Sequence, residues 1–219
     1  LRPVMNGIYF DISPEDLTFV ASDGHKLVRI TTTEAKGEGR SSFILPKKPA
    51  NLLKSLLPRE TGTVEITFDE NNAYISMSSY NMVCRFVEGR YPNYNSVIPQ
   101  NNPNKLTLDR LALLNALKRV SVFSNPASSL VKLQLSEDKI VVSAQDIDFL
   151  TAAEEMIPCN YEGNVMNIGF RAAFLIDILN NIPSSDVRIE LSDSSRAGLI
   201  LPVEKEENEE MLTLLMPMM

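Results

Sequence analysis

Short runs in which apolar and polar residues alternate occupy much of the chain. Alternation over about four to eight residues is typical of a strand that has one face on a core and one in solvent. These runs predict strands over 8–11, 17–20, 64–68, 73–77, 131–135, 139–143, 187–191 and 212–215. The polar segments 69–72 and 136–138 carry turn-forming residues, and each is predicted to close a hairpin.

Three other segments place apolar residues at helical spacing. The first runs from Pro49 to Leu57 and stops before Pro58. The second runs from Leu108 to Phe123, and the third runs from Arg171 to Ile182 before Pro183. A proline directly after such a run is typical of a helix end, because proline lacks the backbone N–H that the next helical hydrogen bond requires.

The same succession of elements occurs twice along the chain. Hairpin, loop, helix and hairpin recur at an offset of about 125 residues, a spacing that indicates a duplicated domain. Helix 49–57 corresponds to helix 171–182, and strand 64–68 corresponds to strand 187–191. Hairpins combined with separate helices predict an α+β fold in each copy.

The two copies differ at their beginnings. The helix at 108–123 has no counterpart in the first copy, so its equivalent is expected upstream of Leu1, in sequence missing from this chain. The polar stretch 99–104 is typical of a connection between domains. The predicted domains are therefore 1–104 and 105–219.

The composition is that of a globular protein, with 44% hydrophobic and 22% charged residues. Apolar runs stay well below the roughly 20 residues of a membrane-spanning helix, so no membrane association is expected. Cys84 and Cys159 lack CxxC partners and the chain has one histidine, which argues against structural zinc. Two reduced thiols in the cytoplasm are favoured over a disulfide, and neither metal nor cofactor is expected.

A hydrolase is the enzyme class that the sequence superficially suggests, because Ser22, Asp23 and His25 lie together. Neighbouring residues on an extended segment point in alternate directions, so these side chains are not expected to form a chain of nucleophile, base and orienting acid. GxSxG, P-loop and GxGxxG motifs are absent from the sequence. We therefore predict a non-catalytic protein.

Six short motifs carry a family resemblance. In chain order they are Asn6-Gly7-Ile8-Tyr9-Phe10, Ala21-Ser22-Asp23-Gly24-His25-Lys26-Leu27, Glu88-Gly89-Arg90-Tyr91-Pro92-Asn93-Tyr94, Val97-Ile98-Pro99, Ile168-Gly169-Phe170 and Met216-Pro217-Met218. Through them the whole chain resembles the bacterial DNA polymerase III beta subunit family, the DNA sliding clamps. It matches the middle domain without its first helix, and the third domain. The family's first domain is absent, so this chain is not expected to close a ring alone.

The resemblance implies a homodimeric ring with antiparallel sheets outside and helices lining an inner concave face. Such a ring encircles duplex DNA without reading its sequence. It serves in DNA replication as the processivity factor of the DNA polymerase III complex. The resemblance therefore also implies a cytoplasmic protein that is associated with the nucleoid. The alternative is a non-catalytic peptide-binding scaffold that is not linked to DNA.

The net charge of −7 argues against a tight grip on nucleic acid. Seven of the 21 basic residues nevertheless lie on or beside the predicted helices, whereas 204–210 is strongly acidic. With the resemblance, this distribution implies a mildly positive inner wall. The DNA-facing residues implied are Lys47, Lys48, Lys54, Lys118 and Arg119, with Arg110 and Arg171 beside them. The alternative is that these side chains simply face solvent, as on most amphipathic helices.

The resemblance also implies a hydrophobic cleft between the middle and third domains. Short peptide motifs of the polymerase alpha subunit, the clamp loader, other polymerases and repair proteins would bind there. The residues implied are Met5, Ser22, Gly24, His25, Lys26, Leu27, Pro92, Val97, Arg171, Phe174, Ala197, Leu214, Leu215, Met216, Pro217 and Met218. Methionine adapts to varied apolar ligands, and Gly24 is expected to permit close backbone approach. The alternative for 216–219 is a frayed C terminus.

The sequence departs from the family at three positions of this cleft. Ser96 stands where an arginine is frequent, Phe174 where a tyrosine is frequent, and Arg171 where an asparagine is frequent, so peptide preference is expected to differ. Val122 and Phe123 correspond to the protomer edge. These two side chains are equally compatible with an interface and with the core.

Overall fold

The computed structural model describes residues 2–218, and Leu1 and Met219 lie outside the described residues. The chain divides into a first unit, Leu1–Tyr94, and a second unit, Asn95–Met219. The domain boundary that the sequence predicts after residue 104 falls inside the second unit.

The first unit contains two antiparallel sheets and one α-helix in its described part. Strands β1 to β4 pair in the order β3-β2-β1-β4, and β5 to β7 pair in sequence order. The elements are β1 Gly7–Ile12, β2 Leu17–Ser22, β3 Lys26–Thr32, β4 Ser41–Pro46, α1 Lys47–Leu56, β5 Glu65–Phe68, β6 Asn72–Ser76 and β7 Asn81–Arg85.

Stacked aromatic rings form the centre of the first unit. The ring of Phe43 stacks on Phe10 and on Phe86, each at 4.5 Å between centroids. Phe10 also meets Phe19 edge to face at 4.9 Å. Helix α1 contributes the buried side chain of Leu53 to this core, and Ala50 and Leu56 pack against it partly buried. The remaining faces of α1 are therefore available for its charged residues.

The second unit also contains two antiparallel sheets, ordered β12-β8-β14-β15-β16 and β11-β10-β9-β13. Its elements are β8 Asn104–Asp109, α2 Arg110–Val120, β9 Leu130–Ser136, β10 Lys139–Asp146, β11 Thr151–Pro158, β12 Asn160–Glu162, β13 Met166–Arg171, α3 Ala172–Asn181, β14 Asp186–Leu191, β15 Gly198–Pro202 and β16 Glu209–Leu215. A 3-10 turn, Ser121–Phe123, continues α2.

The duplication predicted from the sequence is present in the structure. The series β1 to β4, α1 and β5 to β7 has the same order and pairing as β9 to β11, β13, α3 and β14 to β16. In the second unit, β8 and α2 precede that series, and the short strand β12, which pairs with β8, is inserted between β11 and β13. The predicted α+β class and antiparallel sheets are confirmed, and each predicted strand and helix is present. The helix predicted over 108–123 begins later, at Arg110, because Leu108 and Asp109 belong to β8.

Helices α2 and α3 pack against each other within the second unit. Asp109 caps α2, because its side chain accepts a hydrogen bond from the Ala112 N–H at 2.6 Å. The Arg110 guanidinium then donates to the carbonyl oxygens of Leu179 at 2.9 Å and Ser184 at 2.7 Å. Because those carbonyls lie at and just beyond the end of α3, Arg110 ties the start of one helix to the end of the other.

Both predicted hairpin turns form. In the first, Asp69 Oδ1 accepts hydrogen bonds from the backbone N–H groups of Asn71 and Asn72 at 2.7 and 2.8 Å, and Tyr74 donates to Oδ2. The Asn71 bond is the leading cause that lowers the pKa of Asp69 to about 2. In the second, Ser136 donates its hydroxyl to the Lys139 carbonyl at 2.8 Å.

Gly7 begins β1 where the backbone of β4 passes closest. A Cβ atom at this position would overlap the carbonyl oxygen of Leu45. We expect Gly7→Ala to lower the free energy of unfolding by about 1–3 kcal/mol, because backbone must move to admit the methyl group. Gly39→Ala is the matched control, since nothing lies within 4 Å of its Cβ position. Equal urea midpoints for the two variants would contradict this reason for the glycine.

Candidate functional site

The C-terminal segment of the second unit is held against β13. Met218 donates its backbone N–H to the Gly169 carbonyl at 2.8 Å, and these two residues form a β-bridge. A Cβ on Gly169 would lie 2.9 Å from the Met218 oxygen and 2.8 Å from Leu130 Cδ1. Glycine therefore permits the close approach of the segment. This contradicts the frayed alternative for 216–218, while Met219 lies outside the described residues.

The C-terminal segment, residues 216–218, is more exposed than the end of the strand that precedes it. Leu214 and Leu215, at the end of β16, are buried. Met216 is exposed, and Pro217 and Met218 are half-buried. The segment therefore presents adaptable apolar side chains on a backbone that is fixed by a hydrogen bond.

Arg171 and Phe174 form a second feature of the same region. Arg171 precedes the first residue of α3, and its guanidinium carbon lies 5.3 Å from the centroid of the Phe174 ring. Arginine over an aromatic face is favourable and leaves the edge of the guanidinium able to donate hydrogen bonds. Arg171 and Phe174, which are two of the three departures from the family pattern, thus contact each other in one cation–π interaction.

The first unit carries the turn that raised the hydrolase alternative. Ser22 donates its hydroxyl to the Lys26 carbonyl at 2.9 Å and accepts from the Gly24 N–H at 3.2 Å. Asp23 Oδ1 accepts from the N–H groups of His25 and Lys26, each at 2.9 Å. The segment is a tight turn between β2 and β3, and not the extended segment assumed from the sequence. Its serine and aspartate are engaged by backbone.

Gly24 is explained by its own backbone conformation. Its φ is +86°, in the left-handed region, and no atom lies within 4 Å of its Cβ position in the described structure. Conformation, and not close approach of another part of the chain, accounts for this glycine. His25 beside it is exposed, and Leu27 at the start of β3 is buried.

The other residues implied for the peptide site are scattered among short connecting segments. Met5 ends a 3-10 turn, Pro3–Met5, and is half-buried. Pro92 is half-buried and Val97 is exposed in the segment after β7. Ala197 is buried directly before β15. Sequence reasoning gave no role to Gly169, although a glycine within an apolar strand is a known signal of close backbone approach.

Helix α1 carries three of the predicted DNA-facing residues. Lys47, Lys48 and Lys54 are all exposed. Two of these lysines lie in the first turn, where the helix has neither an acidic residue nor a side-chain cap. The first turn of a helix already carries partial positive charge, so added lysines destabilise an isolated helix but favour an anion placed there.

Helix α2 carries the other two predicted DNA-facing residues in unequal surroundings. Lys118 is exposed. Arg119 is engaged by Glu155 of β11 through two bonds, Nε to Oε2 at 3.0 Å and Nη2 to Oε1 at 2.5 Å. This hydrogen bonding raises the pKa of Arg119 and lowers the pKa of Glu155. The charge of Arg119 is therefore already bound by a carboxylate, which leaves Arg119 less available to a phosphate than Lys118.

The 3-10 turn after α2 exposes Val122 and Phe123. Their exposed fractions are 77% and 40%, so the core alternative for these residues is wrong. The turn contacts β10 and β11. The connection between those strands exposes three further apolar residues, Ile147, Phe149 and Leu150, which sequence reasoning did not single out. Apolar residues inside the turn at 147–150 are the sequence feature that indicates this exposed apolar surface.

Residues 2–218 contain both cysteines of the chain. Cys84 is buried and Cys159 is half-buried; both are free, and burial raises the pKa of each thiol. Among these residues, no group of three His, Cys, Asp or Glu side chains is arranged to hold a metal ion. No helix described is both long enough and apolar enough to cross a bilayer.

Comparison with known proteins matches the chain to two domains in order. Residues 1–93 match the DNA polymerase III beta subunit, central domain, and residues 95–219 match its C-terminal domain. The beta sliding clamp of Pseudomonas putida is 29% identical over the whole chain, and that of Escherichia coli is 29% identical over 89% of it. The chain spans 59% and 53% of the length of these relatives.

Solved structures of sliding clamps share the fold. A DNA polymerase sliding clamp from Pseudomonas aeruginosa superposes with a TM-score of 0.94 at 27% identity, covering 100% of this chain and 59% of that one. A sliding clamp from Bartonella birtlesii bound to griselimycin superposes with a TM-score of 0.92 at 32% identity, with the same coverage. With both family domains matched in sequence and the same fold, the chain belongs to the DNA polymerase III beta subunit family.

Proposed function

We propose that the protein containing this chain is the processivity factor of a bacterial replicative DNA polymerase. It encircles duplex DNA as a sliding ring and tethers its partners, and it has no active site of its own. One observation carries the proposal, namely that the central and C-terminal family domains follow each other over the whole chain. Because the chain spans 59% of the length of its relatives, the ring belongs to the full-length protein.

Exposed lysines on helices support a DNA contact that is independent of base sequence. Lys47, Lys48 and Lys54 on α1 and Lys118 on α2 offer charge without the paired donors and acceptors that read base edges. The net charge of −7 supports a ring that is linked topologically, since a tight grip would need more positive charge. Such a ring stays on DNA and still slides.

Adaptable apolar side chains on a fixed backbone support the binding of short peptide motifs. In the second unit, Met216, Pro217 and Met218 adjoin β13, and Arg171 stacks on Phe174 beside them. The other peptide contacts proposed are Met5, Ser22, Gly24, His25, Lys26, Leu27, Pro92, Val97, Ala197, Leu214 and Leu215. The polymerase alpha subunit, the clamp loader, other polymerases and repair proteins are the partners proposed, all in the cytoplasm.

Exposed apolar residues support the assembly of two protomers. Val122 and Phe123 lie on the turn that contacts β10 and β11, and β11 ends the strand order of its sheet. Exposed valine and phenylalanine side chains beside a sheet edge are suited to burial against another chain. We propose that this surface contributes to the homodimer of the full-length protein.

The test of the proposed function compares DNA with and without ends. Full-length protein is loaded onto circular duplex DNA, and retention is measured by gel filtration before and after the circle is cut once. We expect retention on the circle and loss within minutes after cutting, because a ring leaves only over an end. Equal retention on both forms would overturn the sliding ring. A peptide-binding scaffold that is not linked to DNA would be retained on neither.

A further inference from the structure

The bond between Arg119 and Glu155 joins two different layers of the second unit. Arg119 lies in the last turn of α2, and Glu155 lies in β11, 36 positions further along the chain. Two roughly parallel N–H···O bonds between a guanidinium and a carboxylate form the most directional ion pair available to side chains. The pair therefore favours one direction for the exposed side chain of Arg119.

In the described part of the chain, strand β11 pairs with a neighbouring strand on one side only. It ends the order β11-β10-β9-β13, and it pairs with β10 over Thr151–Pro158. Ile157 is the one buried residue of β11, and five of its eight residues are exposed, namely Thr151, Ala152, Glu154, Met156 and Pro158. Because strand side chains alternate, Glu155 shares the face of Ile157, the face that contacts α2. On this face the ion pair supplements buried Ile157 and half-buried Ala153, in addition to the ladder with β10.

We propose that Arg119 and Glu155 hold the edge strand β11 against helix α2, so that Arg119 is a positioning residue and not a DNA contact. Both Lys118 and Arg119 are exposed, the latter with 62% of its side-chain surface, but the charge of Arg119 is compensated by a carboxylate bound at two oxygen atoms. The pair thereby links the helix that carries Lys118 to the strand beside Val122 and Phe123. The part of this inference that concerns DNA rests on the proposed function.

Hydrogen exchange tests the anchor in the 219-residue chain. We expect Arg119→Ala and Glu155→Gln each to speed exchange of the β11 amides about two- to five-fold, the range of an exposed ion pair, with β9 unchanged. The double variant should add nothing further, because both changes remove one interaction. Lys118→Ala is the matched control and should leave β11 unchanged. Unchanged β11 exchange in both single variants would overturn the anchor.

Salt dependence of DNA binding tests the second half of the proposal in full-length protein. Each phosphate contact adds about 0.9 to the slope of log affinity against log salt. We expect Lys118→Ala to reduce the slope by about 0.9 and Arg119→Ala to leave it unchanged. Glu155→Gln should steepen the slope, because it releases the guanidinium. A loss in Arg119→Ala equal to that in Lys118→Ala would overturn the assignment.

The two halves fail separately. Absence of DNA binding by the unchanged full-length protein would refute the proposed function, while the exchange experiment would still decide whether the ion pair anchors β11. Conversely, a ring retained on circular DNA with unchanged β11 exchange in both single variants would leave the proposed function standing and remove the anchor.

Discussion

Replacing Pro217 and Met218 together with alanine is expected to abolish binding of a polymerase-derived peptide to the full-length protein. The dissociation constant should rise by about 30-fold or more, which is the loss typical when a central anchor of an interface is truncated. Met218 offers a flexible thioether that adapts to an apolar ligand, and alanine is too short to replace it. Isothermal calorimetry measures the affinity directly.

The folded state should survive this double substitution. Both side chains are half-buried, and the hydrogen bond from Met218 to Gly169 uses backbone atoms that alanine retains. Met156→Ala is the matched control, because this methionine of β11 is 60% exposed and lies outside the proposed peptide contacts. The Met156→Ala variant should bind the peptide with the same affinity as the unchanged protein. Unchanged affinity in the double variant would remove the C-terminal segment from the peptide site.

Alternating strands were predictable from the sequence because their two faces differ in burial. Strand β9 is an example, with buried Val131, Leu133 and Leu135 separated by exposed Lys132 and Gln134. Periodicity of this kind reports a strand with one face in a core. The same reasoning located α1, α2 and α3 to within two or three residues at their ends, where the hydrogen-bond pattern is weakest.

Other strands carry no such signal. All five residues of β15, Gly198–Pro202, are buried, so the strand reads as a continuous apolar run. Strand β11 has the opposite problem, because as an edge strand it is mostly exposed and contains alanine and glutamate, which are common in helices. In both cases the tertiary position, and not the local pattern, determines the conformation.

The residues of the candidate site were predictable from the family resemblance. The contacts that those residues make with residues far away in the sequence were not predictable. The apolar segment 216–218 was identified from its motif, but its attachment to Gly169 requires the register of β13. The engagement of Arg119 likewise depends on Glu155, 36 positions away. A lysine or arginine on an amphipathic helix carries the same sequence signal whether or not a carboxylate binds it. The roles of Arg119 and Lys118 can therefore be distinguished only from their neighbours in the folded structure.

Removing the buried face of α2 is expected to cause the largest loss of stability. Leu117 has an exposed fraction of 0%, and α2 packs against α3 as well as against β10 and β11. We expect Leu117→Ala to lower the free energy of unfolding by about 2–5 kcal/mol, since it removes buried methyl groups and leaves a cavity that close packing cannot fill. Urea denaturation followed by circular dichroism measures the change.

Leu111→Ala provides the comparison, because it makes the same substitution in the same helix at a residue that is 50% exposed. Its loss should stay below about 1 kcal/mol, as leucine and alanine have similar helix propensity and little buried surface is removed. Equal losses would mean that α2 is not held by its buried face. Since Lys118 follows Leu117 directly, the core that buries one residue also sets the direction of the other. A destabilised α2 should therefore weaken DNA retention without any change in charge.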